Sequence, residues 1–576
     1  MEENILINII VLIGVAVFVV AGFKHFKLSP VLGYLVAGAA IGDHGFKIVT
    51  HTQTHLLGEL GIVFLLFAIG LELSFERLKA MRKYVFGLGS MQVVITAVII
   101  TLIVILIHKD FTSAVIIGVS LALSSTAIVM QVIAETRSGS TQVGRISLAI
   151  LLLQDFAVVP LLVIIPLLSG GNSKAFIVSA LGIALLKAVV ALLAIFIAGR
   201  LFLRPLFLLI SSDKSESNEL PISVTLLIVL SAAWATEHLG LSLALGAFVS
   251  GVLVAETDFR LKAEESIYPF KSLLLGLFFM TVGMNINVIQ TYEHLYYIIG
   301  FSILLIVVKT IIISTLCIFF GFNKGVAFQA GLLLSQGGEF AFILFNLAKE
   351  NKIFEENTAN VLLLIVTFTM ALTPVLAILG QKISERIERR LGKTPLQIIE
   401  FGAMDLVNHV IIAGFGNVGK MISRVMEAEG INYIALDVNQ ELVKDEISNG
   451  FPVFVGDVSH IETLKAMGAE RALTLILTMD NEVTIKKSLK SISKGFPNIN
   501  IIVRLKSLKK SREFYDAGAT MIIPESYELG LQLGGAVLKS VGVSENEINR
   551  IKGQFRSGNY IKAKREDNML ESEEND

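Results

Sequence analysis

Long apolar runs recur along residues 1–380 and constrain the fold more than any other feature of this chain. A bilayer core about 30 Å thick is crossed by a helix of about 20 apolar residues. The runs therefore predict a polytopic α-helical membrane domain over residues 1–380. There are thirteen candidate spans, with bounds loose by several residues: 4–23, 28–42, 54–74, 84–107, 112–135, 142–168, 175–209, 221–239, 240–256, 270–284, 293–321, 325–349 and 357–380.

Residues 381–576 have the dense charge of an ordinary soluble sequence. Charged residues make up only 17% of the whole chain, against about 25% in soluble proteins, because the membrane part carries so few. The formal net charge of −1 indicates no nucleic-acid partner. The single cysteine, Cys317, can form no intramolecular disulfide, which fits a reducing compartment.

The distribution of Lys and Arg predicts an orientation in the membrane. The N-terminus lacks the basic region of a signal peptide and predicts a retained first span. If that terminus lies outside, the inside loops carry about 15 Lys and Arg residues and the outside loops about 5. This positive-inside bias, with an odd number of spans, predicts a cytoplasmic soluble part.

Thirteen spans accommodate two inverted six-helix repeats joined by an extra helix at 175–209, an arrangement common in secondary transporters. Span 5 then corresponds to span 12, and span 4 to span 11. After the membrane domain we expect a linker helix at 381–405, a nucleotide-binding domain at 406–530, and a C-terminal extension at 531–576 whose acidic tail is disordered.

The soluble part contains a dinucleotide-binding fingerprint in its required context. The strand "VIIAG" leads into Gly414, Gly416 and Gly419, a helical stretch follows, and the next strand ends at Asp437. The glycines let the backbone approach a phosphate at the helix N-terminus, and the acid accepts ribose hydroxyls. Further strands bring the predicted number to six by residue 524. The alternative is a Rossmann-like domain that no longer binds a nucleotide.

Only about 50 residues follow the sixth strand, so no domain remains to bind a substrate for hydride transfer. We therefore expect a nucleotide sensor and not an enzyme. The run "GDVSHIETLKAMGAERA" resembles the signature of regulator of K+ conductance domains, called RCK, KTN or TrkA-N. The expected nucleotide contacts are Gly414, Phe415, Gly416, Asn417, Val418, Gly419, Asp437, Val438, Asp457, Val458 and Thr478.

Charged side chains inside the membrane are expensive and are functional candidates by default. Asp155 lies well inside span 6, Lys309 inside span 11 and Glu339 inside span 12. Structural ion pairing is the alternative explanation for Asp155 and Lys309. The sequence alone leaves both open.

Two spans carry polar clusters that favour interrupted helices. Span 5 contains Ser124, Ser125 and Thr126, and span 12 contains Ser335 to Gly338. Non-helical backbone at membrane depth is tolerated only against protein or a water-filled cavity. Back-bonding hydroxyls and close helix packing are the alternative, but the matched positions of the clusters favour function.

Several segments resemble Kef-type K+/H+ antiporters of the cation/proton antiporter superfamily, and the resemblance continues through the RCK domain. They are "GIVFLLFAIGLELSFERL", "ALSSTAIVMQVIAE", "LLLQDFAVVPLL", "SLALGAFVSGVLVAETDFR", "PFKSLLLGLFFMTVGMNI" and "LLLSQGGEFAF". The resemblance implies a homodimer in a bacterial inner membrane with cytoplasmic RCK domains. It also implies K+ efflux coupled to H+ entry by an elevator mechanism, with unwound, crossed helices in spans 5 and 12.

The resemblance places the ion-binding acid at Asp155, where K+ and H+ would compete. Gln154 stands where electrogenic relatives carry a second acid, which predicts electroneutral exchange. Lys309 matches a basic residue that relatives place opposite the acid, and we expect it to be a charge partner. Ser124, Ser125, Thr126 and Glu339 complete the expected site.

Regulation is predicted from the same resemblance. The charged loop 255–270, with Glu264 and Glu265, matches a loop that contacts the soluble domain in Kef-type proteins. AMP or NAD(H) is the expected regulatory ligand, and an ancillary cytoplasmic subunit is a possible partner. Asn417 replaces an Arg of glutathione-gated relatives, which argues against glutathione, although Arg504 and Lys506 remain as candidate contacts.

Three other functions stay open at this stage. A Na+/H+ antiporter would have the same fold, since the Gln154–Asp155 pair does not choose between the cations. A K+ efflux channel is disfavoured because no TVGYG-like filter occurs. A membrane-anchored oxidoreductase would need a substrate domain that we do not find.

Overall fold

The structure is a computed structural model that describes residues 3–25, 30–42, 45–49, 51–72, 81–107, 110–136, 138–168, 219–238, 243–257, 259–284, 295–353, 355–391, 395–507 and 511–565. The chain divides into two compact units. The first comprises Met1–Val132 and Ile146–Ile387, and the second comprises Ile133–Arg145 and Glu388–Asp576.

The described part of the chain up to residue 391 is mainly helical, as its apolar runs predict. A π-helical turn, Lys83–Gly89, precedes α4. The helices are α1 (Glu3–His25), α2 (Pro30–Ile41), α3 (His51–Glu72), α4 (Ser90–Ile107), α5 (Phe111–Ala122), α6 (Thr126–Glu135), α7 (Gln142–Leu168), α8 (Glu219–His238), α9 (Leu243–Ala255), α10 (Arg260–Met284), α11 (Leu295–Phe319), α12 (Lys324–Leu333), α13 (Phe340–Glu350) and α14 (Glu356–Leu391).

Within the described residues, six helical segments are long and apolar enough to cross a membrane. They are Lys83–Ile107, Phe111–Glu135, Gln142–Ile165, Leu220–His238, Leu295–Phe319 and Asn357–Ile387. Shorter apolar helices occur at Ile10–Phe23, Gly58–Leu71, Leu243–Ala255 and Leu273–Met284. The predicted span 175–209 lies outside the described residues, and the number of thirteen stays a prediction.

Two local predictions differ from the structure. Most of the segment 255–270 is helical and not a loop, because α10 begins at Arg260 and continues through Pro269. Glu264 and Glu265 are exposed on its second turn, where Lys and Glu favour helix. Similarly, α14 continues from the last predicted span to Leu391, and a separate helix, α15 (Pro395–Ala403), follows. The predicted linker is thus divided between two helices, and the tail 566–576 lies outside the described residues.

Glycine permits close helix packing in the first unit. Helix α3 packs on α9 and α10. At the α3–α9 contact, a Cβ atom added to Gly70 would lie 2.3 Å from the carbonyl oxygen of Phe248, and one added to Gly251 would lie 2.2 Å from that of Phe67. Small residues allow membrane helices to approach in this way.

The second unit contains a six-stranded parallel sheet, which confirms the predicted strand number. Its strands are β1 (Val410–Ala413), β2 (Tyr433–Asp437), β3 (Val453–Val455), β4 (Thr474–Leu477), β5 (Asn500–Leu505) and β6 (Met521–Pro524). Their order is β3-β2-β1-β4-β5-β6. This is the doubly wound order, in which ligands bind where the order reverses, at the carboxyl ends of β1 and β4.

Helices cover the sheet, since all four residues of β1 are buried. They follow the strands in alternation, as right-handed parallel crossovers require. They are α16 (Asn417–Ala428), α17 (Gln440–Ser448), α18 (Ile461–Ala466), α19 (Glu482–Gly495), α20 (Ser511–Asp516), α21 (Glu525–Ser540) and α22 (Glu545–Arg565).

We expect the second unit to lose stability in mild acid because of His409. This imidazole is fully buried, and burial lowers its pKa to about 4, whereas an unfolded histidine titrates near about 6.5. Between these pKa values the unfolded chain binds more protons than the folded chain. The free energy of unfolding therefore decreases as the pH decreases, and at pH 5 it is about 2 kcal/mol lower than at pH 8. Denaturant unfolding of the full chain at pH 8 and pH 5 would measure the loss.

The same titration identifies the residue responsible. His409→Gln should remove most of the pH dependence, whereas the equivalent change at the exposed His460 should leave it in place. If the free energy of unfolding of His409→Gln depended on pH as strongly as that of wild type, His409 would not be the residue responsible.

Candidate functional site

Two membrane helices are interrupted where the polar clusters predict it. Residues 123–125 separate α5 from α6 and form the first break, and residues 334–339 separate α12 from α13 and form the second break. The two breaks touch, because Ser124 Oγ donates to the Leu334 carbonyl at 2.7 Å. A Cβ atom at Gly338 would lie 2.7 Å from the Ser124 carbonyl oxygen. The ends of four half-helices therefore meet at one place.

Asp155 lies on α7 and faces the first break. Its side chain is 4% exposed, and its Oδ1 accepts a hydrogen bond from Thr126 Oγ1 at 2.9 Å. The neighbouring Gln154 accepts from the Ser124 amide at 2.7 Å and donates to Gln92 Oε1 at 2.7 Å. The structure thus brings the predicted residues of α7 and the first break together, with Gln92 as an additional member.

Lys309, fully buried on α11, bridges the two breaks. Its ammonium lies 3.0 Å from the carbonyl oxygens of Leu121 and Leu123 and from Ser124 Oγ. It also lies 2.7 Å from the Gln336 carbonyl oxygen. Asp155 is not among these four contacts, which are three carbonyl oxygens and one hydroxyl. The role of Lys309 as a charge partner of Asp155 stays a prediction.

Helix electrostatics explain why these charges are tolerated. The C-terminal end of a helix carries partial negative charge and unpaired carbonyls, and the N-terminal end carries the opposite. Lys309 meets carbonyls at the end of α5 and in the second break. Glu339 Oε1 instead accepts from the Ala127 amide at 3.1 Å, in the first turn of α6. Ser125 Oγ caps the same helix by accepting from the Ile128 amide at 3.2 Å.

Sequence reasoning missed two polar residues at this site, Gln92 and Thr369. The buried amide of Gln336, from the predicted cluster of span 12, has no hydrogen-bond partner among the described residues. Thr369, on α14, accepts from the Gly337 amide of the second break at 3.1 Å. The signal for Gln92 and Thr369 was a single polar residue within an apolar helix, which also fits simple packing.

The chemistry of the site suits a hard monovalent cation. Carboxylate, hydroxyl, amide and carbonyl oxygens are the ligands such ions take, and all four types converge around the breaks. Among the described residues, no group of three or more His, Cys, Asp or Glu side chains could hold a metal ion. Two buried carboxylates, Asp155 and Glu339, lie at this site, and a carboxylate can carry either a proton or a cation.

The second unit contains the predicted phosphate loop. Gly414 follows β1 with φ +95°, a conformation that favours glycine, and a Cβ atom at Gly419 would lie 2.3 Å from the Gly414 carbonyl oxygen. Asp437 Oδ2 accepts from the Phe415 amide at 2.7 Å. A Cβ atom at Gly416, at the start of α16, would meet nothing within 4 Å. This open N-terminus is the place where a phosphate binds in such folds.

Other predicted nucleotide contacts surround this loop. Thr478 follows β4 and its hydroxyl donates to the Gly414 carbonyl at 2.7 Å. Asp457 follows β3 and its Oδ1 accepts from the Ser459 amide at 2.8 Å. Asn417 and Val438 are exposed at the same edge of the sheet.

Two of the predicted contacts, Phe415 and Val458, have buried side chains. Phe415 is fully buried and its ring centroid lies 5.4 Å from that of Phe451. Val458 is 1% exposed. Apolar residues directly after strands fill space beneath the sheet edge, so only the backbone of these two can reach a ligand. Val418 is half-buried on the first turn of α16.

The candidate regulatory cations differ in their surroundings. Arg504, on β5, pairs with Asp480 at 3.0 Å and with Glu525 at 2.5 Å. Its charge is therefore already compensated by these carboxylates. Lys506 is exposed.

Two known protein families match this chain, one over most of the first unit and one within the second unit. Residues 10–378 match the family described as sodium/hydrogen exchanger, transmembrane. Residues 410–525 match the TrkA-N domain.

Two curated relatives come from Arabidopsis thaliana. The chain is 41% identical over 564 residues to K(+) efflux antiporter 2, chloroplastic, covering 96% of this chain and 48% of that one. It is 42% identical over 536 residues to K(+) efflux antiporter 1, chloroplastic, covering 92% and 45%. The chain thus spans about half the length of these relatives.

One solved structure shares the membrane fold. The sodium proton antiporter MjNhaP1 from Methanocaldococcus jannaschii, at pH 8, matches with a TM-score of 0.51 and 16% identity. The match covers 68% of this chain and 100% of that one. At this identity the likeness concerns the fold alone.

Proposed function

We propose that this chain, which belongs to the transmembrane sodium/hydrogen exchanger family, exchanges potassium ions for protons under the control of a nucleotide bound to its TrkA-N domain. The predicted resemblance to Kef-type antiporters with a C-terminal RCK domain is confirmed by the two family matches and the relatives. Family membership indicates a transporter rather than an enzyme. The choice of K+ follows the names of relatives that are about twice as long.

The observation that carries the proposal is the buried Asp155, hydrogen-bonded to Thr126 directly after the first helix break. Protonation removes the negative charge that a cation needs, and a bound cation makes protonation unfavourable. Competition at one carboxylate therefore couples K+ in one direction to H+ in the other. The hydroxyl of Thr126 and the oxygens of the breaks supply further ligands.

Electroneutral exchange follows if Asp155 carries the one exchangeable charge while Glu339 stays bound to the Ala127 amide. Gln154, the neighbour of Asp155, is held by the Ser124 amide and by Gln92, and it adds no charge. We further propose an elevator movement, in which the broken helices carry the site across the membrane. The touching breaks support this, because α5, α6, α12 and α13 are tied together there.

Flux in reconstituted vesicles tests the function. Outward K+ gradients should drive proton uptake, Rb+ should substitute, and Na+ should do so poorly. An imposed membrane potential should leave the rate unchanged. Equal or faster exchange with Na+ would favour the Na+/H+ alternative, and K+ flux without proton movement would favour a channel.

A nucleotide such as AMP or NAD(H) is the proposed regulatory ligand of the second unit. The open N-terminus of α16, the positive φ of Gly414 and Asp437 support this ligand class. Glutathione is not proposed, since Asn417 offers no cation and Arg504 is compensated. A homodimer with cytoplasmic RCK domains remains the proposed assembly. The named relatives are chloroplastic, so the bacterial inner membrane stays a prediction.

We expect Gly416→Ala to weaken nucleotide binding by at least about tenfold without destabilising the domain. The new methyl group meets no protein atom, but it occupies the space at the helix N-terminus where the phosphate approaches. Calorimetric titration of the full chain with AMP and with NADH would measure binding.

Gly419→Ala provides the contrast. Its methyl group would collide with the Gly414 carbonyl, so it should lower both thermal stability and binding. Wild-type affinity in Gly416→Ala would contradict the proposed phosphate position.

A further inference from the structure

The connection between α6 and α7 belongs to the second unit. Ile133–Arg145 groups with the C-terminal part of the chain, and α7 begins there at Gln142. Asp155 follows Arg145 on the same helix by ten residues, about 15 Å along the axis. Helix α6, which begins at Thr126, enters the same connection from the other side. Both helices that hold the Asp155–Thr126 hydrogen bond therefore lead into this connection.

Arg145 is held there by a buried, bidentate ion pair. Its Nε lies 2.6 Å from Asp405 Oδ2, and its Nη2 lies 2.8 Å from Asp405 Oδ1. The two side chains are 5% and 4% exposed. The same guanidinium also donates to the carbonyls of Gly402, at 3.1 Å, and Ser140. Such fork geometry fixes orientation as well as distance.

Further contacts join the connection to Asp405 and to α16, the helix that follows the glycine loop. Gln142 Nε2 lies 3.3 Å from Asp405 Oδ1. Ser140 Oγ donates to Glu427 Oε1 at 3.2 Å, and Tyr433 donates to the same oxygen at 2.6 Å. Glu427 lies in the last turn of α16, whose opposite end is the open phosphate position. One rigid helix therefore separates the nucleotide loop from the connection.

A purely structural role is the alternative. A buried ion pair contributes little net stability compared with apolar side chains of similar volume, and its best-attested use is to specify one arrangement. The arrangement specified here is the position of the first turn of α7. Because that helix is continuous to Asp155, a displacement of its first turn is transmitted along its axis.

We propose that the second unit controls ion exchange through Arg145. This is a positioning residue whose pairing with Asp405 sets the position of α7, the helix that carries Asp155. The inference rests on the proposed exchange function and specifies how regulation reaches the ion site. Nucleotide binding at α16 changes the Ser140 and Arg145 contacts, and these change the rate of exchange.

The test uses the full chain in vesicles and the double variant Arg145→Met/Asp405→Leu. Removing both charges avoids leaving one buried charge unpaired. The matched control is Lys486→Gln/Glu513→Gln, which removes an exposed pair, 2.6 Å apart, of the same unit. K+-dependent proton flux is measured with and without AMP. We expect wild type and control to change by the same factor, and the double variant by less than 1.5-fold. A wild-type response in the double variant would overturn the proposal.

A second measurement separates this inference from the proposed function. If the wild-type chain shows no K+ flux or no AMP response, the proposed function fails, and amide hydrogen exchange decides the inference. Residues 138–145 should exchange at least tenfold faster in the double variant, with β1 unchanged. Unchanged protection of 138–145 would overturn it. If the double variant does not fold, the reversed pair Arg145→Asp/Asp405→Arg replaces it, and it should restore protection compared with Arg145→Asp alone.

Discussion

Asp155→Asn is expected to abolish K+-dependent proton flux, leaving less than about 1% of the wild-type rate, because a neutral amide can neither bind a proton nor compensate a cation. Asn has nearly the same volume and can accept the hydrogen bond from Thr126 Oγ1 that Asp155 accepts at 2.9 Å. The variant should therefore fold and assemble as wild type does. Flux in vesicles, together with size-exclusion chromatography of the purified chain, provides the measurement.

The matched control is Glu237→Gln. Glu237 is an exposed carboxylate near the end of α8, so its neutralisation should leave flux within about twofold of wild type, as for surface substitutions in general. Normal proton coupling in Asp155→Asn would remove Asp155 from the ion site, and the proposed exchange would then need another acid.

Lys309→Met is expected to destabilise the membrane unit by about 3 kcal/mol or more, since each buried carbonyl left without a donor costs about 1–3 kcal/mol. Lys309 contacts three such carbonyls, those of Leu121, Leu123 and Gln336. Thermal unfolding in detergent would measure the effect. Ser302→Ala is the control, because Ser302 is a buried residue of the same helix whose hydroxyl has no partner among the described residues.

A double-mutant cycle with Asp155→Asn distinguishes the two roles of Lys309. If the ammonium served mainly to pair with Asp155, neutralising both would cost less than the sum of the single changes. Since none of its four contacts is to Asp155, we expect the two destabilisations to add within about 0.5 kcal/mol. A coupling of several kcal/mol would restore the charge-pair interpretation.

Features set by local sequence could be predicted. Gly414 and Asp437 were identified because the glycine spacing, the flanking strands and the following acid occur within one βαβ unit. Asp155 was identified because a carboxylate in an apolar run has few explanations. The two breaks lie where the polar clusters at 124–126 and 335–338 predict them.

Features set by distant pairing could not be predicted. Gln92 contacts Gln154, 62 residues later, and nothing local distinguishes this amide from one that packs harmlessly. Arg145 and Asp405 are separated by 260 residues, and no local pattern connects them. Lys309 was recognised as functional, but its partners are carbonyl groups, which every residue possesses.

The glycines of the membrane unit bear on how such a protein can be redesigned. Replacing helical glycine by alanine is an ordinary route to higher stability, and Gly14, Gly22 and Gly300 have room for the methyl group. Gly338 does not, because the new carbon would lie 2.7 Å from the Ser124 carbonyl oxygen. A design procedure that optimises each helix separately would replace Gly338 by a better helix former. The new side chain would then push the first break away from the second. Poor helix propensity at Gly338 is therefore a property that engineered variants must keep.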